Sequence, residues 1–340
     1  MPHRLAVAGL VFMLTAVGCR AAGLATSEAV PSASRPVLPR FDHILVVLEE
    51  NKDFEDIVDN PAAPYLNRLA AEGAVLTRMY GEEHNSEGNY FWLFSGNNQN
   101  VGFNDDVPAG QFNAPNLGAA LIAKGLSFAG FAESLPAIGS QDAGAPPGCG
   151  RDCVYARKHV PWISFANLPN GTTAASSVNL RFADFPADYA RLPTVGFVIP
   201  DQFHDMHSGP LDQRVPAGDR WLTEHLDRYV RWAKNHNSLL VVTFDENQNR
   251  TGYTGLTDPA FAAGDEVTRR VMQNRIATII AGAHVKPGCR DPQPFTHVNL
   301  LRTIEAIYGL PRSGAQQPYA ARAGIADDAV MTGVFEPAER

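Results

Sequence analysis

Apolar residues in this chain follow two spacings that alternate along its length. His43-Ile44-Leu45-Val46-Val47-Leu48, Thr194-Val195-Gly196-Phe197-Val198-Ile199 and Ser238-Leu239-Leu240-Val241-Val242-Thr243-Phe244 are near-continuous apolar runs. Runs of this kind suit strands buried on both faces of a parallel sheet. Residues 74–80, 126–132 and 275–282 read as further strands. Between them the apolar positions recur at helical intervals. Leu66, Leu69 and Ala70 lie in a segment stopped by Gly73, and residues 116–125 form a second. The amphipathic stretch 220–236 is a third, and 297–310, with Gly309 as a C-terminal stop, closes the series. This alternation predicts an α/β fold with three layers, α/β/α, around a mostly parallel central sheet. Residues 247–275 form a polar excursion between two strands, and a long insert there could border an active site.

The N-terminus does not fit this pattern. Arg4 followed by the apolar run LAVAGLVFMLTAVG reads as a signal peptide over residues 1–22. It is too short and too early for a transmembrane helix, so no membrane span is expected in the mature chain. The polar segment 23–40 reads as a linker, and 41–340 as the catalytic domain. Cleavage after Ala21 or Ala22 is one route. Ala16-Val17-Gly18-Cys19 also resembles a lipobox, with Ala16 where Leu is preferred, and makes Cys19 a candidate for a lipid anchor. Cys149 and Cys153 lie in a Gly/Pro-rich loop and could form a small disulfide, leaving Cys289 over. Together these features predict an exported protein: periplasmic, cell-surface or secreted.

The chain has 340 residues, 45% of them hydrophobic, which supplies a large core and excludes disorder as the main state. Its formal net charge of −8 argues against a nucleic-acid partner. Ligands of open α/β sheets bind outside the C-terminal strand ends. The residues just past each strand here are unusually rich in chemistry. Glu49-Glu50-Asn51 come after the first run and Asp245-Glu246-Asn247 after SLLVVTF. Asp201 to His207 come after TVGFVIP, and residues 81–90, including His84, Ser86 and Asn89, after the 74–80 strand. Carboxylates with a carboxamide make a site for a hard divalent cation, and added histidines widen the choice of metal. Ser86 stands just before a helical segment, where free N–H groups favour an anion, and is the candidate nucleophile.

These segments, taken in order, resemble the acid phosphatase/phosphoesterase family that also contains phospholipase C-type enzymes, within the alkaline phosphatase superfamily. The resemblance covers roughly residues 41–312 and rests on FDHILVVLEENKDFEDIV, NPAAPYLNRLAAEGAVLTRMY, HNSEGNYFWLFSG, VYARKHVPWISFANLP, VIPDQFHDMHSG, SLLVVTFDEN, IATIIAGAHVKPG and FTHVNLLRTIEAIYGLP. It implies an alkaline phosphatase-like fold and a divalent metal ion held by Glu50, Asn51, Asp245 and Glu246. It implies Ser86 as nucleophile through a phosphoserine intermediate, with Asn89 on a phosphate oxygen. His84, His159 and Asp205 would line the phosphate pocket, and His207 and His297 would supply protons. Asp205 and His207 could instead complete a second metal site. The sequence departs from the family at Asn85 and Gly88, where the family has proline, and at Asp201, where it often has Asn. The expected function is hydrolysis of small phosphate monoesters. The alternatives are a phospholipase C-type phosphodiesterase and, from another class, a non-catalytic binding protein on the same fold.

Overall fold

The computed structural model describes residues 38–337, apart from 103, 211 and 249–272. The expected signal segment 1–22, nearly all of the linker 23–40 and most of the excursion 247–275 lie outside the described residues. The strands are β1 (His43–Glu49), β2 (Ala74–Tyr80), β3 (Phe128–Ala132), β4 (Gly144–Ala145), β5 (Tyr155–Ala156), β6 (Asn179–Arg181), β7 (Val195–Ile199), β8 (Ser238–Phe244), β9 (Arg275–Gly282) and β10 (Cys289–Thr296). The helices are α1 (Phe54–Ile57), α2 (Pro64–Glu72), α3 (Ser86–Ser95), α4 (Leu117–Ala123), α5 (Arg214–Ala233), α6 (His297–Tyr308) and α7 (Pro318–Arg322).

Eight strands form one sheet in the order β10-β2-β9-β8-β1-β7-β3-β6. All run parallel except β9, which pairs antiparallel with β8 and β2. The mostly parallel three-layer sheet read from the alternation is the one found. Helices α2 and α5 cover one face, and α3, α4 and α6 the other. β1, β7 and β8 are buried nearly throughout, as their unbroken apolar runs require.

β10 is hidden from the apolar pattern. Its sequence CRDPQPFT carries two prolines, and its pairing with β2 shifts register between Asp291 and Pro294. An edge strand with a bulge tolerates prolines that a central strand would not. Helix α5 begins six residues before the amphipathic stretch that announced it and buries Trp221, Leu222, Leu226, Tyr229 and Val230. Each such side chain contributes about 1.5–3 kcal/mol. The early start has a purpose. Asp219, buried within α5, accepts the N–H groups of Tyr65 and Leu66 at 3.0 and 2.9 Å. It thereby caps the first turn of α2, whose own N-cap is Ala63 and has no side-chain acceptor. Gly309 ends α6 at φ 58°, the left-handed position a C-terminal stop requires.

Cys149 and Cys153 are disulfide-bonded. Cys289, expected to be left over, is not a free thiol.

Candidate active site

The C-terminal ends of β1, β2, β7 and β8 meet at one rim, and the residues just past them converge. Glu50 follows the last residue of β1 and is wholly buried. Its Oε2 accepts from Ser86 Oγ at 3.0 Å and its Oε1 from the Tyr90 hydroxyl at 2.7 Å. Asn51 adopts φ 43°, a left-handed conformation that Asn tolerates better than most residues. That turn sends its backbone N–H to Asp245 Oδ1 at 2.9 Å and its amide to Glu246 Oε1 at 2.8 Å. The ends of β1 and β8 are locked together through these two bonds. Lys52 reinforces them from behind. Its buried ammonium donates to the carbonyls of Glu50, Asn51 and Met206 at 3.4, 2.9 and 2.8 Å.

Ser86 is the first residue of α3, and Asn85, the N-cap, makes no side-chain cap bond. The N–H groups of the first turn therefore have no side-chain acceptor from the cap, and they face the rim. Gly88, in that turn, is explained by a neighbour. A Cβ there would lie 2.1 Å from Glu83 Oε1. Glu83 is itself pinned by Trp92 Nε1 at 3.2 Å and Asn98 Nδ2 at 2.9 Å. A residue ill-suited to a helix is the one that lets the 81–86 loop close against α3.

His159 lies over the other side of Glu50. Its ring stacks on Tyr90 at 5.3 Å, with Nε2 3.2 Å from Glu50 Oε1 and Nδ1 3.6 Å from Asp205 Oδ2. Asp205 accepts the His207 N–H at 2.7 Å across Met206, which has φ 71°. The His207 ring is half-buried and rests its Nδ1 3.1 Å from Ser208 Oγ. His84 Nδ1 stands 3.4 Å from Glu246 Oε2. So Glu50, Asn51, His84, Ser86, His159, Asp205, His207, Asp245 and Glu246 lie around one rim.

Two predicted residues do not join it. Asn89 is spent on the loop before it: Oδ1 accepts the N–H groups of Glu82 and Glu83 at 3.0 and 3.1 Å, and Nδ2 donates to the Glu83 carbonyl at 2.6 Å. Its carboxamide oxygen and one of its two amide N–H groups are thus committed to the loop. His297 is buried behind the rim, with Nδ1 2.7 Å from Glu82 Oε2 and Nε2 2.8 Å from the Phe244 carbonyl. Burial opposes its charge, but Glu82 outweighs burial and raises its pKa. Both ring nitrogens are engaged in holding β2 and β8, so no proton is presented to a substrate.

The electrostatics of the centre are those of an uncompensated acidic cage. Burial, then the mutual repulsion of Glu50 and Asp245, pushes the Asp205 and Asp245 carboxyls far above their ordinary range. Glu246 rises for the same reasons, with Asp245 as its chief repelling neighbour. Burial drives the His159 pKa well down, helped by Lys158 and His207. Asn51 Oδ1, Asp205 Oδ2, Asp245 Oδ2 and Glu246 Oε2 are buried with no hydrogen-bond partner. Orphaned acceptors on residues of one rim are what a divalent cation would satisfy. Three of the four predicted ligands supply such an atom. Both oxygens of the fourth, Glu50, already accept a hydrogen bond and would use their second lone pairs.

Tyr90, Lys158 and Lys52 belong to this site and were not identified from sequence. Burial disfavours the Lys158 charge, but Glu50 and Asp105 outweigh it, and its pKa is raised. It is the cation facing the acidic centre from the His159 side. The signal for Tyr90 and Lys158 was present in the segments HNSEGNYFWLFSG and VYARKHVPW. Nothing local distinguishes a cation at the mouth from a solvated one. A second cluster was also unforeseen in part: the ligand atoms of Glu133, Asp201 and His204 lie within 4.8 Å of one another.

Comparison with known proteins accords with this arrangement. Residues 58–311 match the family model described as Phosphoesterase family. A phosphatidylinositol-3-phosphatase of Mycobacterium tuberculosis is 40% identical over 307 residues, covering 88% of this chain and 89% of the relative. An acid phosphatase of Aspergillus fumigatus is 24% identical over 326 residues, and there this chain spans 66% of the relative's length. Among solved structures, a Vibrio parahaemolyticus protein of the alkaline phosphatase superfamily superposes with TM-score 0.51 at 13% identity, covering 86% of this chain and 71% of that one. The lipoteichoic acid synthase LtaP of Listeria monocytogenes gives 0.53 at 11%, covering 87% and 76%. At these identities the two structures speak to the fold alone. Among the described residues, no helix is long and apolar enough to cross a membrane.

Proposed function

Since this chain belongs to the phosphoesterase family, it is a hydrolase of phosphoric esters, and we propose that it is an exported, metal-dependent phosphomonoesterase working through a phosphoserine intermediate. One observation carries the reading: the Ser86 hydroxyl at the N-terminus of α3 lies 3.0 Å from Glu50, beside the orphaned oxygens of Asn51, Asp245 and Glu246. A divalent cation bound by Glu50, Asn51, Asp245 and Glu246 would neutralise phosphate charge and acidify the serine hydroxyl.

The remaining work falls to the chain's own groups. The first-turn N–H groups of α3 and the Lys158 ammonium hold phosphate oxygens. Ser86 Oγ gives its proton towards Glu50 Oε2 and bonds to phosphorus while the ester P–O bond breaks. The departing alkoxide takes a proton from the His207 imidazolium, a form that burial and then Lys158 disfavour, so the step gains at acid pH. Water then attacks phosphorus with His207 as base. The Ser86–phosphorus bond breaks, and the serine regains its proton. His159, pressed on Tyr90 and Glu50, orients the base and stays neutral. The relative named phosphatidylinositol-3-phosphatase makes an inositol-lipid monophosphate the first natural substrate to try.

The test is hydrolysis of p-nitrophenyl phosphate by the purified protein, with and without chelator, beside Ser86→Ala. Turnover that is lost in both cases is expected. Full turnover after metal stripping overturns the cation. Full turnover in Ser86→Ala overturns the phosphoserine. Turnover of bis(p-nitrophenyl) phosphate but not of the monoester replaces the phosphatase with the phosphodiesterase.

A further inference from the structure

Glu49 precedes Glu50 and is equally buried, but the sheet directs it to the opposite face. The parallel registers align Val47 with Val198 and Val198 with Phe131. Two steps further along, the same registers align Glu49, Pro200 and Glu133, so Glu49 and Glu133 project from one face. That face is covered by α5, whose Trp221 donates Nε1–H to Glu133 Oε1 at 3.0 Å.

The second carboxylate oxygen of Glu133 lies 2.9 Å from His204 Nδ1, and Asp201 Oδ1 lies 3.1 Å from the same nitrogen. Surrounding groups hold these atoms in place. The Asp201 N–H donates to Glu133 Oε2 at 2.9 Å, the Phe203 N–H to Asp201 Oδ1 at 3.1 Å, and Ser134 Oγ to Asp201 Oδ2 at 2.8 Å. Outer partners that fix the orientation of two carboxylates and an imidazole are what a metal site needs.

Glu49 is the independent sign of a missing cation. It is 0% exposed, and neither of its carboxylate oxygens has a hydrogen-bond partner. Beyond burial itself, Lys52 and His204 attract its charge and Glu133 and Asp219 repel it. The Lys52 ammonium is committed to the carbonyls of Glu50, Asn51 and Met206. Glu133 and Asp201 thus share the His204 imidazole, and Glu49 has no hydrogen bond of its own with it. An ionised carboxylate in that condition is expensive, so Glu49 keeps its proton unless a cation compensates it.

We propose that Glu133, Asp201 and His204 bind a second divalent cation, of the manganese-to-zinc class, with Glu49 as the buried carboxylate behind it. Two carboxylate oxygens and one imidazole nitrogen are a donor set for these ions. Solvent reaches the site through His204, whose side chain is 38% exposed. The ion would tie the ends of β1, β3 and β7 to the loop 201–207, which carries Asp205 and His207 into the active site. This proposal stands apart from the catalytic cation at Glu50, Asn51, Asp245 and Glu246, and the experiment separates the two.

Equilibrium dialysis of the full chain, stripped with chelator and titrated with Mn²⁺ and then Zn²⁺, measures stoichiometry. Wild type is expected to bind two ions. Asp245→Asn is expected to lose one, and Glu133→Gln/His204→Ala to lose the other. Glu49→Gln should weaken the second site about 10–100-fold while keeping its stoichiometry. Far-UV and near-UV circular dichroism confirm the fold of each variant, and His204→Gln alone replaces the double variant should that one unfold. One ion in wild type, lost in Asp245→Asn and kept in Glu133→Gln/His204→Ala, overturns the proposal and leaves His204 as a bridge between two carboxylates. One ion with the reverse pattern upholds this site and overturns the catalytic cation instead.

Discussion

Glu49 and Glu50 are consecutive, both lie at the end of β1, and neither touches solvent. Their surroundings differ in kind. Glu50 faces α3 and is met by Ser86, Tyr90 and His159 within 3.2 Å. Glu49 faces α5, and neither of its oxygens is met by a donor. Burial raises the pKa of both. At Glu50 the hydroxyl donors and Lys158 pull it back, so a carboxylate can persist and act. At Glu49 Lys52 and His204 also pull it down, but from committed positions and without a hydrogen bond. The pair shows that burial alone does not make a residue part of an active site. The partners supplied by the facing helix decide it.

The comparison can be broken most sharply at Ser86. Ser86→Ala is expected to cut turnover of p-nitrophenyl phosphate by about 10³-fold or more while circular dichroism stays native, since a nucleophile is removed and not a support. An effect under tenfold would detach Glu50 from the chemistry. His297→Ala should act through structure instead. It leaves Glu82 buried without its partner, a loss of about 3–5 kcal/mol in denaturant unfolding. The discriminating readout is the pH profile of kcat, which a proton donor would shift and a strut would not. Glu50→Gln is expected to lower kcat about 10²–10³-fold.

Glu49→Gln should act on the stability of the chelated protein instead. Replacing a buried, unpartnered carboxyl by a neutral isostere is expected to raise its stability by about 1–3 kcal/mol at pH 8. A drop in the unfolding midpoint would show that Glu49 is supported by groups outside its observed neighbours.

The same carboxyls set a pH dependence. Glu49, Asp205, Asp245 and Glu87 all hold their protons more tightly folded than unfolded, Glu87 up to about 8. Their stabilising contribution is therefore complete below the unfolded values of 3.8 and 4.5 and is lost as pH rises through the raised ones. With chelator present, the thermal midpoint is expected to fall between about pH 5 and 8, and added Mn²⁺ should restore it most at the alkaline end. A midpoint flat across that window would mean that the cage is not acidic in the folded state. The smallest effect is expected at the mouth. Lys158→Ala should raise KM by about tenfold with little change in kcat, because it contributes binding more than transition-state contact.

Much of this was legible in the chain. Unbroken apolar runs marked the buried strands, and the polar residues just past each run located the centre. The converging residues Glu50, Asn51, Ser86, Asp205, Asp245 and Glu246 all sit where a parallel sheet ends, so topology alone brings them together. The residues that were misplaced share one physical cause. Asn89 and His297 have the side chains expected of a phosphate ligand and a proton donor. Their polar atoms are instead engaged by other groups: Glu82 and Glu83 take the Asn89 oxygen and one amide N–H, and Glu82 and Phe244 take both His297 ring nitrogens. β10 was missed because its prolines are compatible with a strand only at an edge, and edge position is a property of the whole sheet.

The division between sequence and tertiary structure rests on the same cause. Hydrophobic period, helix stops and the acidic strand ends are local, so the chain determined by itself an α/β sheet with a charged rim and a serine at a helix start. Which acid meets a hydroxyl, which meets only other acids, and which histidine is free to move a proton depend on partners distant in sequence. Only the packing of α3 on one face and α5 on the other decided those, because an unpaired lone pair is a fact about neighbours and not about the residue that carries it.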